Sequence, residues 1–204
     1  MKKFSTRELI FIAILASIAG VLMFPIFEIR VPFAPPEIYK FDFSEIPVII
    51  GAFAINPIAG VVIEAVKIII ALIIKGGSVT MGVGEVANFL IGIAYVVPAS
   101  YIYHKHKTRK NAVIGMLVGT LSIIIVGALL NAFVLLPVYA YFFNIDVSVL
   151  IGMGSVVNGA VTNLFTFIML ITVPFNLMKG LLISIIVFLI YKRISMIIKA
   201  KDKQ

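Results

Sequence analysis

Residues 111–139, NAVIGMLVGTLSIIIVGALLNAFVLLPVY, run for 29 positions without a charged side chain. A helix rises about 1.5 Å per residue and a bilayer core is about 30 Å thick, so roughly 20 apolar residues suffice for a crossing. This run therefore reads as a membrane helix, and lipid is the solvent against which the rest of the chain has to be read. Composition agrees: of 204 residues 62% are apolar and 13% charged, with a mean hydropathy of +1.17. A water-facing globular surface needs far more charge than that. The length accommodates about six crossings with short loops, as one membrane domain over residues 1–204.

On the N-terminal side of this run, residues 85–103 form a fourth helix that meets the basic cluster HKHKTRK at 104–110. Before it, KGGS at 75–78 breaks a third helix over 58–74, and Asn56-Pro57 is the turn that separates this from a short second helix beginning near Phe43. Residues 28–42, EIRVPFAPPEIYKFD, are too proline-rich for a helix and read as a long structured loop. The first helix covers residues 8–27. Its basic start and apolar middle resemble a signal peptide, but its long apolar run and lack of a small-x-small cleavage site mark a retained membrane helix. Beyond the opening stretch, residues 141–167 carry Asn144, Asp146, Ser148, Ser155, Asn158, Thr162 and Asn163 and read as a re-entrant or broken-helix segment. A sixth helix follows from 171 to about 190.

Basic loops resist translocation, so the distribution of Lys and Arg orients the bundle. With both termini in the cytoplasm, Lys2, Lys3, Arg7, the four basic residues of 104–110 and the five of the C-terminal tail lie inside, twelve of the seventeen. Glu28, Glu37, Asp42, Glu45, Glu85 and Asp146 fall outside. The net charge of +8 is thus a membrane-anchoring signal, not a nucleic-acid footprint. The chain has no cysteine, so disulfides and thiolate metal sites are excluded.

Polar groups at membrane depth cost free energy unless they are paired or face water, which makes each a candidate for function. Asn131, Asn176, Lys179, Glu85 and Asn88 all fall near the outer ends of their helices. Asn176 and Lys179, like Glu85 and Asn88, are three apart and share a helix face. Amides offer a donor and an acceptor together, which suits a heterocycle whose edge alternates carbonyl and N–H. The competing reading lets Lys179 snorkel to headgroups while the asparagines bond to neighbouring helices. Glu64 and Lys67, also three apart, read as a locally paired charge couple in preference to a proton relay. Ala13, Ala16, Ser17 and Gly20 form two small-xxx-small pairs that let another helix approach, from this chain or from a partner. His104 and His106 lack a third ligand and read as solvated residues, not a metal site. There is no Walker motif, nucleophile elbow, HExxH or catalytic carboxylate pair, so ATP-driven uptake would need an ATPase on another chain.

Five stretches, ILASIAG, KFDFSEIPVIIGAF, KGGSVTMGVGEVANFLIG, NAFVLLPVY and PFNLMKG, occur in an order that resembles the substrate-binding S components of energy-coupling factor vitamin transporters, and within them the riboflavin-specific branch. The resemblance implies an all-α, six-helix membrane bundle in the plasma membrane of a prokaryote. It would do no covalent chemistry, hold no cofactor, and capture riboflavin, sometimes FMN, from outside. It also implies a transmembrane coupling protein and two cytoplasmic ATPase subunits as partners. Residues 28–42 would be a lid. Ring contacts would come from Asn131, Asn176 and Lys179, with Glu85 and Asn88 at the pocket. Ala13 to Ser17 and Ala16 to Gly20 would form the docking face, although neither pair is Ala to Ala. A flat, largely apolar ring needs an aromatic and aliphatic slot, for which Tyr39, Phe41, Phe43, Phe89 and Leu90 are candidates beside Asp42. Another vitamin (thiamin, biotin or pyridoxine), a stand-alone proton-coupled carrier and an intramembrane enzyme stay open as alternatives. Thiamin would favour aromatic stacking against a cation, and the chain has no tryptophan.

Overall fold

The computed structural model describes the backbone of residues 4–36, 38–78 and 80–202 and the side chains as far as 190. Glu37, Lys2, Lys3 and the basic side chains of the tail (Lys192, Arg193, Lys199, Lys201 and Lys203), assigned above to one side or the other, lie outside what is described. Helix α1 (Thr6–Leu22) opens on a capping box, in which Ser5 and Glu8 each accept from the other's backbone N–H. A short 3-10 turn at Pro25–Phe27 leads into a two-stranded ribbon, β1 (Ile29–Arg30) paired antiparallel with β2 (Lys40–Phe41). The segment between these strands is the proline-rich one. Because Pro32, Pro35 and Pro36 cannot donate to a ladder, the strands stop after two residues each.

Helix α2 (Glu45–Ala54) and α3 (Pro57–Lys75) are separated by Asn56, whose side chain caps the Ala59 N–H while Pro57 occupies the first helical turn. Gly76 ends α3 in the left-handed region at φ 73°. Then come α4 (Val83–Lys105) and α5 (Arg109–Leu130), which continues through a π-helical turn (Asn131–Leu135) into α6 (Leu136–Phe143). After α7 (Val147–Val157), α8 (Leu164–Phe167) passes through a second π turn (Ile168–Thr172) into α9 (Val173–Asp202). Each π turn lies two residues before a proline, Pro137 or Pro174. A proline clashes with the carbonyl four residues back, and the wider turn relieves that clash.

Among the described residues, four helices are long and apolar enough to cross a membrane: Pro57–Lys75, Val83–Lys105, Arg109–Phe143 and Leu164–Ile190. Of the two readings of 141–167, the broken helix is the one observed, with α7 set off from α6 and α8 by short breaks. Its polar residues are caps: Asp146 accepts from the Ser148 N–H at the start of α7, Asn144 closes α6 at φ 50°, and Asn163 forms a capping box with Thr166 at the start of α8. The last apolar run begins at Leu164, seven residues earlier than the hydropathy reading placed it. His104 is not a solvated bystander. Its Nε2 lies 2.9 Å from the Ala52 carbonyl and ties α4 to α2.

Two large apolar clusters fill the bundle. One gathers Ile12, Leu15, Ala16, Phe53, Ile63, Tyr95 and Tyr103 from the helices, at the end away from the ribbon. The other lies under the ribbon and gathers Val31, Tyr39, Phe41, Leu136, Phe167, Ile171 and Phe175. The two small-residue pairs of α1 separate. Ala13 and Ser17 face outward, whereas Ala16 and Gly20 are buried. Gly20 backs onto Ile70, where an added methyl would come within 2.7 Å of its Cβ. The expectation that Ala16 and Gly20 dock a partner is therefore corrected: both are enclosed within this chain, and Gly20 lets α1 approach α3.

Candidate ligand cavity

A cavity of about 110 Å³ opens under the ribbon, walled by Tyr39 and Lys40 from the proline-rich segment, Asn88 and Ile91 from α4, Asn131 from the first π turn, and Phe175, Asn176 and Lys179 from α9. Five of the residues singled out from sequence, Tyr39, Asn88, Asn131, Asn176 and Lys179, thus meet in one place. Their helices are positioned by the backbone devices just described. The Asn131 amide donates to the Gly127 carbonyl at 2.8 Å and the Asn176 amide to the Thr172 carbonyl at 3.0 Å, so both asparagines are braced on the preceding turn of their own helices. Gly127 leaves room for this arrangement, because a methyl there would stand 2.6 Å from Asn176 Nδ2.

Tyr39 fills part of the space. Its hydroxyl donates to Asn131 Oδ1 at 2.9 Å and lies 2.6 Å from Thr172 Oγ1, and its ring packs 4.9 Å from that of Phe175. Asn88 offers the opposite situation: its buried Oδ1 has no hydrogen-bond partner among the described residues. A buried acceptor left unpaired costs about 1–3 kcal/mol, and such atoms collect where a ligand or water completes them.

Lys179 does not snorkel. It is 6% exposed, and its Nζ reaches Glu45 Oε1 at 3.5 Å. The same oxygen takes Lys67 Nζ at 3.1 Å, and Lys67 lies 2.6 Å from Glu64 Oε1. Glu64 and Lys67 are indeed paired, but within a four-member network across α2, α3 and α9.

Six other candidates, Glu85, Asp42, Phe41, Phe43, Phe89 and Leu90, do not line the cavity. The Glu85 carboxylate accepts from Ser78 Oγ at 2.7 Å and Thr80 Oγ1 at 2.9 Å, fastening the glycine-rich turn before α4. Asp42 accepts from the Ser44 N–H at 2.8 Å, and Phe41 packs edge-on against Phe43 with ring centres 5.0 Å apart. Sequence reading missed Thr172, Tyr139, Phe175 and the role of Glu45. The spacing of Thr172 and Asn176, one helical turn apart, was the available signal for the first.

The proline-rich segment is also held electrostatically. Glu28 lies 3.1 Å from both Lys40 in β2 and Lys75 at the end of α3. Partial burial opposes its ionisation, yet the hydrogen bonds from Lys75 and Lys40 outweigh that and hold its carboxyl below the usual range. No group of three or more His, Cys, Asp or Glu that could hold a metal occurs among the described residues.

Residues 7–191 match the family model of the ECF transporter substrate-specific component. The chain is 35% identical to the riboflavin transporter RibU of Staphylococcus aureus (strain TCH60), over 95% of this chain and 93% of that one. It is 31% identical to the riboflavin transporter FmnP of Bacillus subtilis (strain 168), over 91% and 90%. Its fold is similar to a solved structure described as the S component of a bacterial ECF transporter, with a TM-score of 0.70 and 31% identity over 93% of this chain and 95% of that one. The chain belongs to the substrate-specific components of ECF transporters.

Proposed function

We propose that this chain is the riboflavin-binding subunit of an energy-coupling factor transporter. The observation that carries the reading is the convergence of three asparagines and a buried lysine on one cavity beneath the lid, with the Asn88 acceptor unpaired. The isoalloxazine edge alternates carbonyl and N–H groups, which amides and an ammonium match, while Ile91, Leu135 and Phe175 supply an apolar wall. The names of the two riboflavin-transporter relatives support the same ligand.

The cavity is smaller than the roughly 300–1,000 Å³ of sites that take drug-sized ligands. Riboflavin therefore enters as Tyr39 and the ribbon withdraws. In this reading α1 and α2 join the four long apolar helices to make six membrane helices with both termini cytoplasmic. The outward pair Ala13 and Ser17 lies on the face toward a transmembrane coupling protein, two cytoplasmic ATPase subunits supply the energy, and the chain itself does no covalent chemistry.

Protein purified in detergent and titrated with riboflavin is expected to quench flavin fluorescence at one-to-one stoichiometry. Absence of quenching at micromolar concentrations sinks the proposal. Uptake driven by a pH gradient in vesicles holding this chain alone would replace it with a stand-alone carrier.

A further inference from the structure

Lys179 carries four methylenes and three donors, so a lysine in a cavity wall samples many rotamers unless something fixes its head. Here that something is Glu45, which is itself buried among side chains of α3 and α4. Glu64 of α3 packs on Gly92 of α4, where any added methyl would overlap the carboxylate. Glu64 holds Lys67, Lys67 holds Glu45 at the first turn of α2, and the Glu45 oxygen that accepts from Lys67 also accepts from Lys179. Glu45, Glu64 and Lys67 are each no more than 1% exposed. Lys67 and Lys179 converge on the same Glu45 oxygen, so Lys179 offers the cavity a donor whose head is directed by Glu45. Glu45 stands outside the cavity wall and touches it at Lys179.

We infer that Glu45 is a positioning residue of the ligand site, fixing the Lys179 ammonium toward the bound molecule. The inference rests on the reading of the cavity as a riboflavin site. Its test is a double-mutant cycle on the purified chain, read by riboflavin fluorescence quenching. Lys179→Ala and Glu45→Gln are each expected to weaken binding about tenfold, and the double variant no more than Lys179→Ala alone. A positioning group has nothing left to position once the ammonium is gone. Glu45→Asp, which keeps the charge but shortens its reach, shows a smaller loss with the same non-additivity, and serves if the Gln variant does not fold.

The double variant Glu64→Gln with Lys67→Met leaves Glu45 and Lys179 as a one-to-one pair and is expected to bind within about threefold of the parent. Equal losses from Glu45→Gln in both backgrounds, or none in either, overturn the role of Glu45 while leaving the ligand reading intact. A loss in Glu64→Gln/Lys67→Met as large as that in Glu45→Gln also overturns it, by making the whole network the requirement. A parent chain that does not bind riboflavin overturns the ligand reading and this inference with it.

Discussion

Around Phe53 and Tyr103, whose rings stack with centres 4.4 Å apart, the bundle closes on apolar side chains and small residues, with helices brought close at Gly51 and Gly60. Around Tyr39 and Phe175 the same kinds of aromatic and aliphatic side chains surround amides, an ammonium and an unpaired acceptor. In lipid there is no hydrophobic drive to bring helices together, so the first region is held by van der Waals packing. The second gives up some of that packing to keep polar atoms buried and available. Stability and recognition are thus assigned to opposite ends of one set of helices, and substitutions should separate them.

The largest effect is expected in the packed region. Phe53→Ala removes a fully buried ring and should cost about 3 kcal/mol, seen as a lower melting temperature in detergent, with riboflavin affinity of the folded fraction unchanged. A parallel loss of affinity would show that the two regions are not separate. Asn131→Ala should do the reverse: about 2 kcal/mol of binding, roughly 30-fold in affinity, with little change in melting. Next comes Gly127→Ala, which crowds Asn176 from behind. Overpacking of about 1–3 kcal/mol there should appear as a weakening of binding near tenfold, and an unchanged affinity would mean that Asn176 does not contact the ligand.

The smallest effect belongs to the lid. Glu28→Gln should loosen residues 28–42 by about 0.5 kcal/mol, as for other partly exposed ion pairs, read as faster proteolysis of that segment. Because the Glu28 carboxyl is held below its ordinary value, its tether is fully present above that ordinary value and is lost as pH falls through the lowered one. Proteolysis that is insensitive to pH between 6 and about 3 in the parent would remove Glu28 from the lid.

The helices were legible because hydropathy in a bilayer answers one question, length, which lipid thickness sets. Asn131, Asn176 and Lys179 were legible because a polar side chain at that depth stands out against apolar neighbours. Glu45 was not: an acid in the first turn of a helix is what the helix dipole favours anyway, and its partners Lys67 and Lys179 lie 22 and 134 residues further along the chain. The two stripes of α1 could not be told apart because both faces of a lipid-embedded helix are apolar, so periodicity carries no sign for inside. The caps between 144 and 163 left that segment open between a re-entrant loop and a broken helix for the opposite reason. In a soluble chain Asp146 and Asn163 would have been read at once as helix starts, but beside so many apolar residues they looked like an interruption.

The hydroxyl of Tyr39, shared between Asn131 and Thr172, enters the binding equilibrium of the cavity. A tethered phenol competes for the site at a fixed effective concentration set by the length of the lid, not by the medium. Any molecule that enters must exchange hydrogen bonds with it, so the apparent affinity is the intrinsic one scaled by the fraction of time the phenol is away. Solutes that cannot replace both bonds gain nothing by displacing it, which gives the unoccupied protein a built-in threshold against casual occupants.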